Sequence, residues 1–293
     1  MSHTYSTSAL DYFADLVRVD GTIPLFEAAL LIAQDAEVPI DLCATQSEVD
    51  SLVARLKPRV AQKQSDIQKL RLLLQFFYQD LGFSPNLNNY SDPENSYLHC
   101  VLTTRRGIPI SLAVLFIEMA GQIGLKVEGV SFPGHFLLKM RVPDGEIILD
   151  PMTGISLSVE QISQLIMPHI NLGTQYSTQD EDKEELTRAQ LQHFLQAASV
   201  REILVRMLRN LKYIYTSEGA WAKVLQVLQR LAILEPDNLQ TIRDRGFAYA
   251  NIDKPQRALR DLEMYLHIQT DAQDAEEIRA MLPSLHAAAR RKL

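Results

Sequence analysis

The 293-residue chain is poor in cysteine, holding only Cys43 and Cys100. Two thiols so far apart in sequence build neither a disulfide framework nor a C-x-x-C metal site, so reduced thiols in a cytosolic setting are expected. A long apolar run is also missing. The best candidate, Ile108 to Ala120, is broken by Ser111 and Glu118 and is shorter than the roughly 20 residues that cross a bilayer, so no membrane segment is expected. Nor is there an excess of basic charge: 29 Lys and Arg stand against 36 Asp and Glu, a net charge of −7. No global field answers nucleic-acid phosphates, and direct nucleic-acid binding is not expected. The start, Met1 to Leu10, is polar and does not read as a signal peptide, which points to the cytoplasm. His3, His99, His169, His193, His267 and His286 are scattered without H-E-x-x-H spacing, and Gly121 to Gly124 close a helix where a phosphate loop would open one. Neither a metal nor a cofactor is therefore expected.

What is present is ordinary globular material, 46% hydrophobic and 22% charged, long enough for about two domains at roughly 150 residues each. From Ser8 to Gly82 apolar residues recur at helical spacing, as in Leu10, Phe13, Ala14 and Val17, then Leu25 to Ala33. Asp66 reads as a helix cap, followed by the stripe Leu70, Leu73, Leu74 and Phe77 and a stop at Gly82. Phe83 to Asn95 is rich in turn formers and leads into a helix or extended segment around Tyr97 to Thr103. Pro109 suits the first position of a helix that ends near Gly121 to Gly124, and its nearly all-round apolar flanks predict burial on several sides.

Two strand-like runs come next, Val127 to Arg141 with Pro133-Gly134 inside it, and Glu146 to Asp150, joined by Pro143-Asp144-Gly145. Putting the clearer apolar sets on one face (Phe136, Leu138, Met140, Val142 with Ile147, Leu149) places His135 and Asp150 on the other. A four-residue loop, Val142 to Gly145, sets Leu137 across from Asp150 and makes His135 its diagonal neighbour; a three-residue loop without a bulge separates them. A helix is expected from Val159 to about Met167, then an acidic linker, then helices to the end. Within these, Tyr215, Leu225, Leu228 and Leu234 recur 34 residues later as Tyr249, Leu259, Leu262 and Ile268, with Lys223 and Arg257 in phase. That period is the tetratricopeptide signature. Pro236 ends the first hairpin and Asp237-Asn238 opens the second, with flanking helices at 189–207 and 275–293.

The succession Gly107-Ile108-Pro109, Ala113, Gly124, His135 and Asp150-Pro151 resembles the core of the transglutaminase-like superfamily, with its papain-like α+β fold. More narrowly, Asn89 to Tyr97, Arg105 to Leu112, Pro133-Gly134-His135 and Leu149-Asp150-Pro151 resemble the bacterial SirB family, which joins such a core to tetratricopeptide-like helices. The resemblance covers almost the whole chain and implies a regulatory role. The wider resemblance to the transglutaminase-like superfamily implies a cysteine at the position that Pro109 occupies. A cysteine at a helix N-terminus is acidified by unpaired amides and the helix dipole; proline supplies no nucleophile.

Two readings of the remaining residues stand. Ser111 with His135 as base and Asp150 as its orienter makes a Ser-His-Asp arrangement for acyl transfer, an amide or ester hydrolase or acyltransferase. Against it, two helical positions are about 200° of rotation, so Ser111 faces away from Pro109 and its hydroxyl can bond backbone in the first turn. His135 and Asp150 are then a remnant lining a pocket, or a structural pair. Cys100 is a displaced nucleophile or a core filler, and Arg105-Arg106 bind an anion or pair with Asp92 and Glu94. Trp221, Tyr213, Tyr215, Phe247, Tyr249 and Tyr265 either line a peptide groove or pack between helices.

These readings converge on a mostly helical α+β chain. Residues 1–170 form a papain- and transglutaminase-like domain with N-terminal helices and a small antiparallel sheet, 171–187 a linker, and 188–293 an all-α tetratricopeptide-like domain that engages a protein or peptide partner. The absent cysteine favours a non-catalytic or vestigial interaction module over an enzyme.

Overall fold

The computed structural model describes residues 8–34, 40–61, 64–167 and 191–291. By its contacts the chain divides into two compact units, Asp20–Met207 and a second made of Met1–Val19 with Leu208–Leu293. This division lies away from the expected boundary at 188, because the stretch from Leu191 onward packs on the sheet of the first unit. Leu191 joins that unit's core, the Lys139 ammonium donates to the Leu195 carbonyl at 2.7 Å, and the Ala198 amide donates to the Gly129 carbonyl at 2.8 Å. The expected linker, 171–187, falls outside the described residues.

Helix α1 (Ala9–Leu16) belongs to the second unit. The first unit opens with α2 (Leu25–Ile32), α3 (Leu42–Leu56) and α4 (Asp66–Leu74), the last running on as a π-helical turn over Gln75–Asp80. Ser65, rather than Asp66, caps α4: its hydroxyl accepts from the Gln68 amide while the Gln68 side chain reaches back to the Ser65 amide. Asp66 is instead the first helical residue, where a carboxylate still favours the helix dipole. After α5 (Leu98–Thr104) comes α6 (Pro109–Gln122), with proline at its first position as expected.

Helix α6 packs against α2, α3, α4 and α5 and against two strands of the sheet, β3 (Val127–Val130) and β4 (Leu137–Val142). Ile110, Leu112, Val114, Leu115, Phe116 and Met119 are all at most 2% exposed. Removing each of these from water contributes about 1.5–3 kcal/mol before chain entropy is counted. An almost wholly apolar helix is stable only inside such a cage.

The antiparallel sheet has the order β3-β4-β5, with β5 at Gly145–Leu149. Val142 pairs with Gly145 and Leu138 with Leu149, so the loop is the four-residue one of the sequence reading. A separate two-residue parallel pair joins β1 (Ser84–Pro85) to β2 (Arg106–Gly107). The face to which the sequence assigns His135 and Asp150 is covered as well. Leu137 and Ile148 pack with Ile162 and Ile166 of α7 (Val159–Ile166) and with Leu191. Lys139 on that face is only 4% exposed; besides its bond to Leu195, its ammonium lies 3.3 Å from Glu146.

In the second unit the helical hairpins follow the predicted period. The long α8 (Val200–Ser217) begins in the first unit and ends in the second, and the expected flanking helix is interrupted before it at 195–199. Then come α9 (Trp221–Leu234), α10 (Leu239–Asn251), α11 (Pro255–Ile268) and α12 (Ala275–Arg290). Helices α9 and α11 start and stop one 34-residue period apart, at 221 and 255 and at 234 and 268. The in-phase cations do the same job twice: Lys223 sits 5.4 Å from the Tyr215 ring and Arg257 5.6 Å from the Tyr249 ring. Asn238 caps α10, accepting from the Thr241 amide. Gly246 permits the close approach of α10 and α11, since a Cβ there would lie 2.7 Å from Leu262. Beside it Arg245 grips the buried Asp261 with two bonds of 2.6 and 3.0 Å.

Candidate functional site

The first turn of α6 is where the sequence reading put its chemistry. Ile108 is extended and precedes the helix, Pro109 stands at the first helical position, and Ser111 points inward with 0% exposure. The Ser111 hydroxyl donates to the Asn95 carbonyl at 2.6 Å, lies 3.0 Å from the Ile108 carbonyl, and accepts from the Ile108 amide at 3.1 Å. It therefore caps the helix it belongs to. Gly107 allows this, because a Cβ there would stand 2.7 Å from the same oxygen.

Asn95 is the hub of this region, and it was missed among the turn formers of its segment. Only 3% exposed, it donates to the Asn89 carbonyl at 2.7 Å and accepts from the Asn86 side chain at 3.0 Å, while its carbonyl takes the serine proton. The loop so held presents Leu87 and Tyr90, 74% and 54% exposed. The only sequence signal for Asn95 was its place inside the run Asn89 to Tyr97.

His135 lies ahead of β4, not within a strand, just after the Pro133-Gly134 turn, and is exposed. Its ring has no hydrogen bond, ion pair or ring contact with the described residues. Its amide donates to the Phe132 carbonyl at 3.1 Å, and that oxygen also accepts from Arg206 at 2.9 Å. Arg206 reaches the Ser131 hydroxyl as well and covers the Phe136 ring at 5.6 Å. Burial holds the Arg206 pKa below its ordinary value, partly offset by nearby Tyr90. Arg206 could not be found from the sequence, where it reads as a helix residue flanking the repeats.

Asp150 stands just past β5 and spends its carboxylate locally, accepting from the Met152 amide at 2.8 Å and the Thr153 hydroxyl at 3.0 Å. The register thus continues toward the predicted Leu137–Asp150 pairing, but the ladder ends one pair earlier at Leu138–Leu149, and the Asp150 amide turns to the Ile155 carbonyl. Among the described residues no hydrogen bond joins Ser111, His135 and Asp150.

Cys100 has a basic neighbour, with its sulfur 3.3 Å from His99 Nε2. Burial, then Glu94 and Asp92, push the thiol up to about 11, and burial lowers the His99 pKa. The sulfur stays protonated near neutrality, so it is a poor nucleophile. Cys43 is exposed and unpaired. Arg105 pairs with Glu48 at 3.4 Å and lies 4.9 Å from the Phe83 ring, while Arg106 donates to the carbonyls of Gly82 and Arg105. The expected partners Asp92 and Glu94 are replaced because the arginines leave α5 through a left-handed residue, Arg105 at φ 58°.

In the second unit the six aromatics separate into two groups. Tyr215, Tyr249 and Tyr265 are buried between helices. Tyr213, Trp221 and Phe247 line a groove of about 420 Å³ between α8 and α10, with Val224 of α9 in its wall. Tyr213 is 75% exposed. The groove's two charges answer one another, Lys212 with Asp244 at 2.7 Å, and outside its lining Arg243 pairs with Asp244 and Asp274, each at 2.7 Å.

Comparison with known proteins gives these two parts their relatives. A family model described as the transglutaminase-like superfamily matches residues 44–209, and one described as the tetratricopeptide repeat matches 211–283. A UPF0162 protein of Xylella fastidiosa strain Temecula1 is 36% identical over 267 residues, 91% of each chain. The chain belongs to the UPF0162 family of the transglutaminase-like superfamily. A further family protein from Pseudomonas aeruginosa is 31% identical over 247 residues, 84% of this chain and 85% of that one. Protein SirB1 of Salmonella typhimurium strain LT2 is 24% identical over 263 residues, 89% and 93% of the two chains. No solved structure matches. The two matched segments meet beside the division at Met207 and Leu208. No helix among the described residues is long and apolar enough to cross a membrane.

Proposed function

We infer that this chain is a non-catalytic member of its superfamily, working as a protein-interaction or regulatory module through its tetratricopeptide-like helices. His135 and Asp150 are the remnant of the ancestral site in this reading. The observation that carries it is the state of Ser111. A serine attacks only when a base takes its proton at hydrogen-bond distance, about 2.6–3.2 Å. Here the proton is committed to a backbone carbonyl in the core, and the preceding turn offers proline in place of a thiol. Protein binding is supported by the aromatic groove, since apolar surface left open beside satisfied charges gains free energy when a partner covers it. Two free cysteines fit a reducing cytoplasm.

A fluorophosphonate probe on the full chain tests the first part: Ser111 is expected to remain unlabelled. Labelling of the wild type that Ser111→Ala abolishes overturns it. For the second part, Tyr213→Ala is expected to lose the partner recovered by affinity capture while stability stays within about 0.5 kcal/mol, as for other exposed positions. Undiminished capture with both Tyr213→Ala and Trp221→Ala overturns the groove.

A further inference from the structure

Several arginines of this chain are answered by carboxylates, Arg105 by Glu48, Arg209 by Glu235 and Arg245 by Asp261. Arg206 is not. It lies on α8 within the first unit, half-buried, and its Nη1 donates to two neutral oxygens, the Ser131 hydroxyl and the Phe132 carbonyl, each at 2.9 Å. Its guanidinium also lies over the ring of the buried Phe136, 5.6 Å from the centroid. Among the described residues neither Nε nor Nη2 has a hydrogen-bond acceptor, and no carboxylate forms an ion pair with them.

A charge is thus held in a fixed orientation without a counter-ion. Taking a guanidinium partly out of water costs free energy that neutral acceptors restore only in part. Burial lowers the Arg206 pKa, Tyr90 partly offsets this, and no carboxylate of the described residues does so. The two bonds at Nη1 and the Phe136 ring fix the guanidinium plane, so Nε and Nη2 present the parallel pair of N–H groups that a carboxylate accepts side-on. Tyr90 belongs to the loop that Asn95 holds, its carbonyl accepting from the Asn95 side chain at 3.4 Å, and its own side chain is largely open to solvent. The groups placed around the guanidinium, Ser131, Phe132, Phe136 and Tyr90, include no second Lys or Arg. One cation matches the single charge of a carboxylate better than the double charge of a phosphate.

We propose that Arg206 anchors a carboxylate-binding site, in which its Nε and Nη2 grip the two oxygens of a ligand's carboxylate and Tyr90 covers the chain that bears it. The ligand supplies the counter-ion that the fold withholds, and the pinned Nη1 means that little side-chain freedom is lost when it arrives. A free organic acid and an acidic group of a protein present the same chemistry to this fork. The site lies in the first unit, separate from the aromatic groove of the repeats. It requires neither a nucleophile nor a base, so it stands whether or not Ser111 is reactive.

The test follows the Arg206 Nε–H resonance of the full chain, assigned by its loss in Arg206→Lys, during titration with four probes. These are 3-phenylpropionate, acetyl-Gly-Leu-Gly with a free C-terminus, acetyl-Gly-Glu-Gly amide with its Gln counterpart as control, and inorganic phosphate. At least one carboxylate is expected to move the resonance saturably, and the Gln peptide is expected to leave it in place. Arg206→Lys keeps the charge but loses the fork, and is expected to weaken the same probe about tenfold or more; Tyr90→Ala is expected to weaken it about threefold. Tightest binding of phenylpropionate assigns the site to a free acid, and tightest binding of either peptide to an acidic group of a partner protein. A resonance unmoved by every carboxylate at millimolar concentration overturns the proposal on the wild type alone, whatever the variants do. So does equal binding of the Gln peptide, phosphate binding tighter than any carboxylate, or affinity unchanged in the two variants.

Discussion

The first turn of α6 and the groove between α8 and α10 treat their polar groups in opposite ways. At α6 a hydroxyl is turned into the core and bonded to three backbone atoms, while a carboxamide two elements away closes the loop over it. In the groove the charges are paired with one another and it is the aromatic surface that stays open. The lesson is that residue type alone does not mark a reactive site: a serine whose proton is held by a carbonyl is scaffold, whereas an exposed tyrosine is available surface. The same logic separates Cys100 from Cys43, of which only the latter is exposed.

Three perturbations sharpen this contrast. The largest effect is expected from Asn95→Ala, which removes the bonds to Asn86 and Asn89 and strands buried partners. A loss of about 2–4 kcal/mol in urea unfolding follows from one or two unsatisfied buried groups, with faster hydrogen exchange over 86–92. A loss under 0.5 kcal/mol would mean that the loop stands without its hub. Next comes Ser111→Ala, expected to cost about 1–3 kcal/mol by leaving the Ile108 amide and the Asn95 carbonyl only their long mutual bond of 3.4 Å. Stability unchanged by this substitution would remove the structural account of the hydroxyl and reopen its chemistry.

The smallest effect is that of Cys100. Its folded pKa of about 11 lies above the ordinary 9.0, so between those values the unfolded chain has released a proton that the folded chain retains. Its contribution to stability is therefore whole below pH 9 and declines as pH rises toward 11. The decline is small, since the thiol is only half-buried and solvent screens it. Iodoacetamide at pH 8, followed by peptide mass spectrometry, is expected to modify Cys43 well ahead of Cys100. Equal labelling would show that burial and the acidic neighbours do not hold the sulfur protonated as described.

Much of the architecture was readable in the residues. The Gly107–Pro109 punctuation and the all-round apolar run gave α6 its start and its burial; the 34-residue spacing gave both hairpins and even the paired cations. The hairpin register followed from the loop length. What covers the second face of the sheet was not legible, since the Lys139 ammonium there is satisfied by Leu195, a residue 56 positions away. For the same reason the first unit extends to Met207: the contacts of 191–207 are with strands distant in sequence.

The sequence by itself determined the local matters: which segments are helical, where they are capped, the repeat period, and that a proline stands where the family resemblance expects a thiol. Those depend on propensity, periodicity and backbone stereochemistry within a few residues. Only the tertiary structure decided that Ser111 is sealed under Asn95, that no hydrogen bond joins His135 and Asp150 among the described residues, and that Arg206 and the His135 amide share the Phe132 carbonyl. Each of these is set by atoms brought together from distant positions, where a hydrogen bond changes from absent to strong within about an ångström.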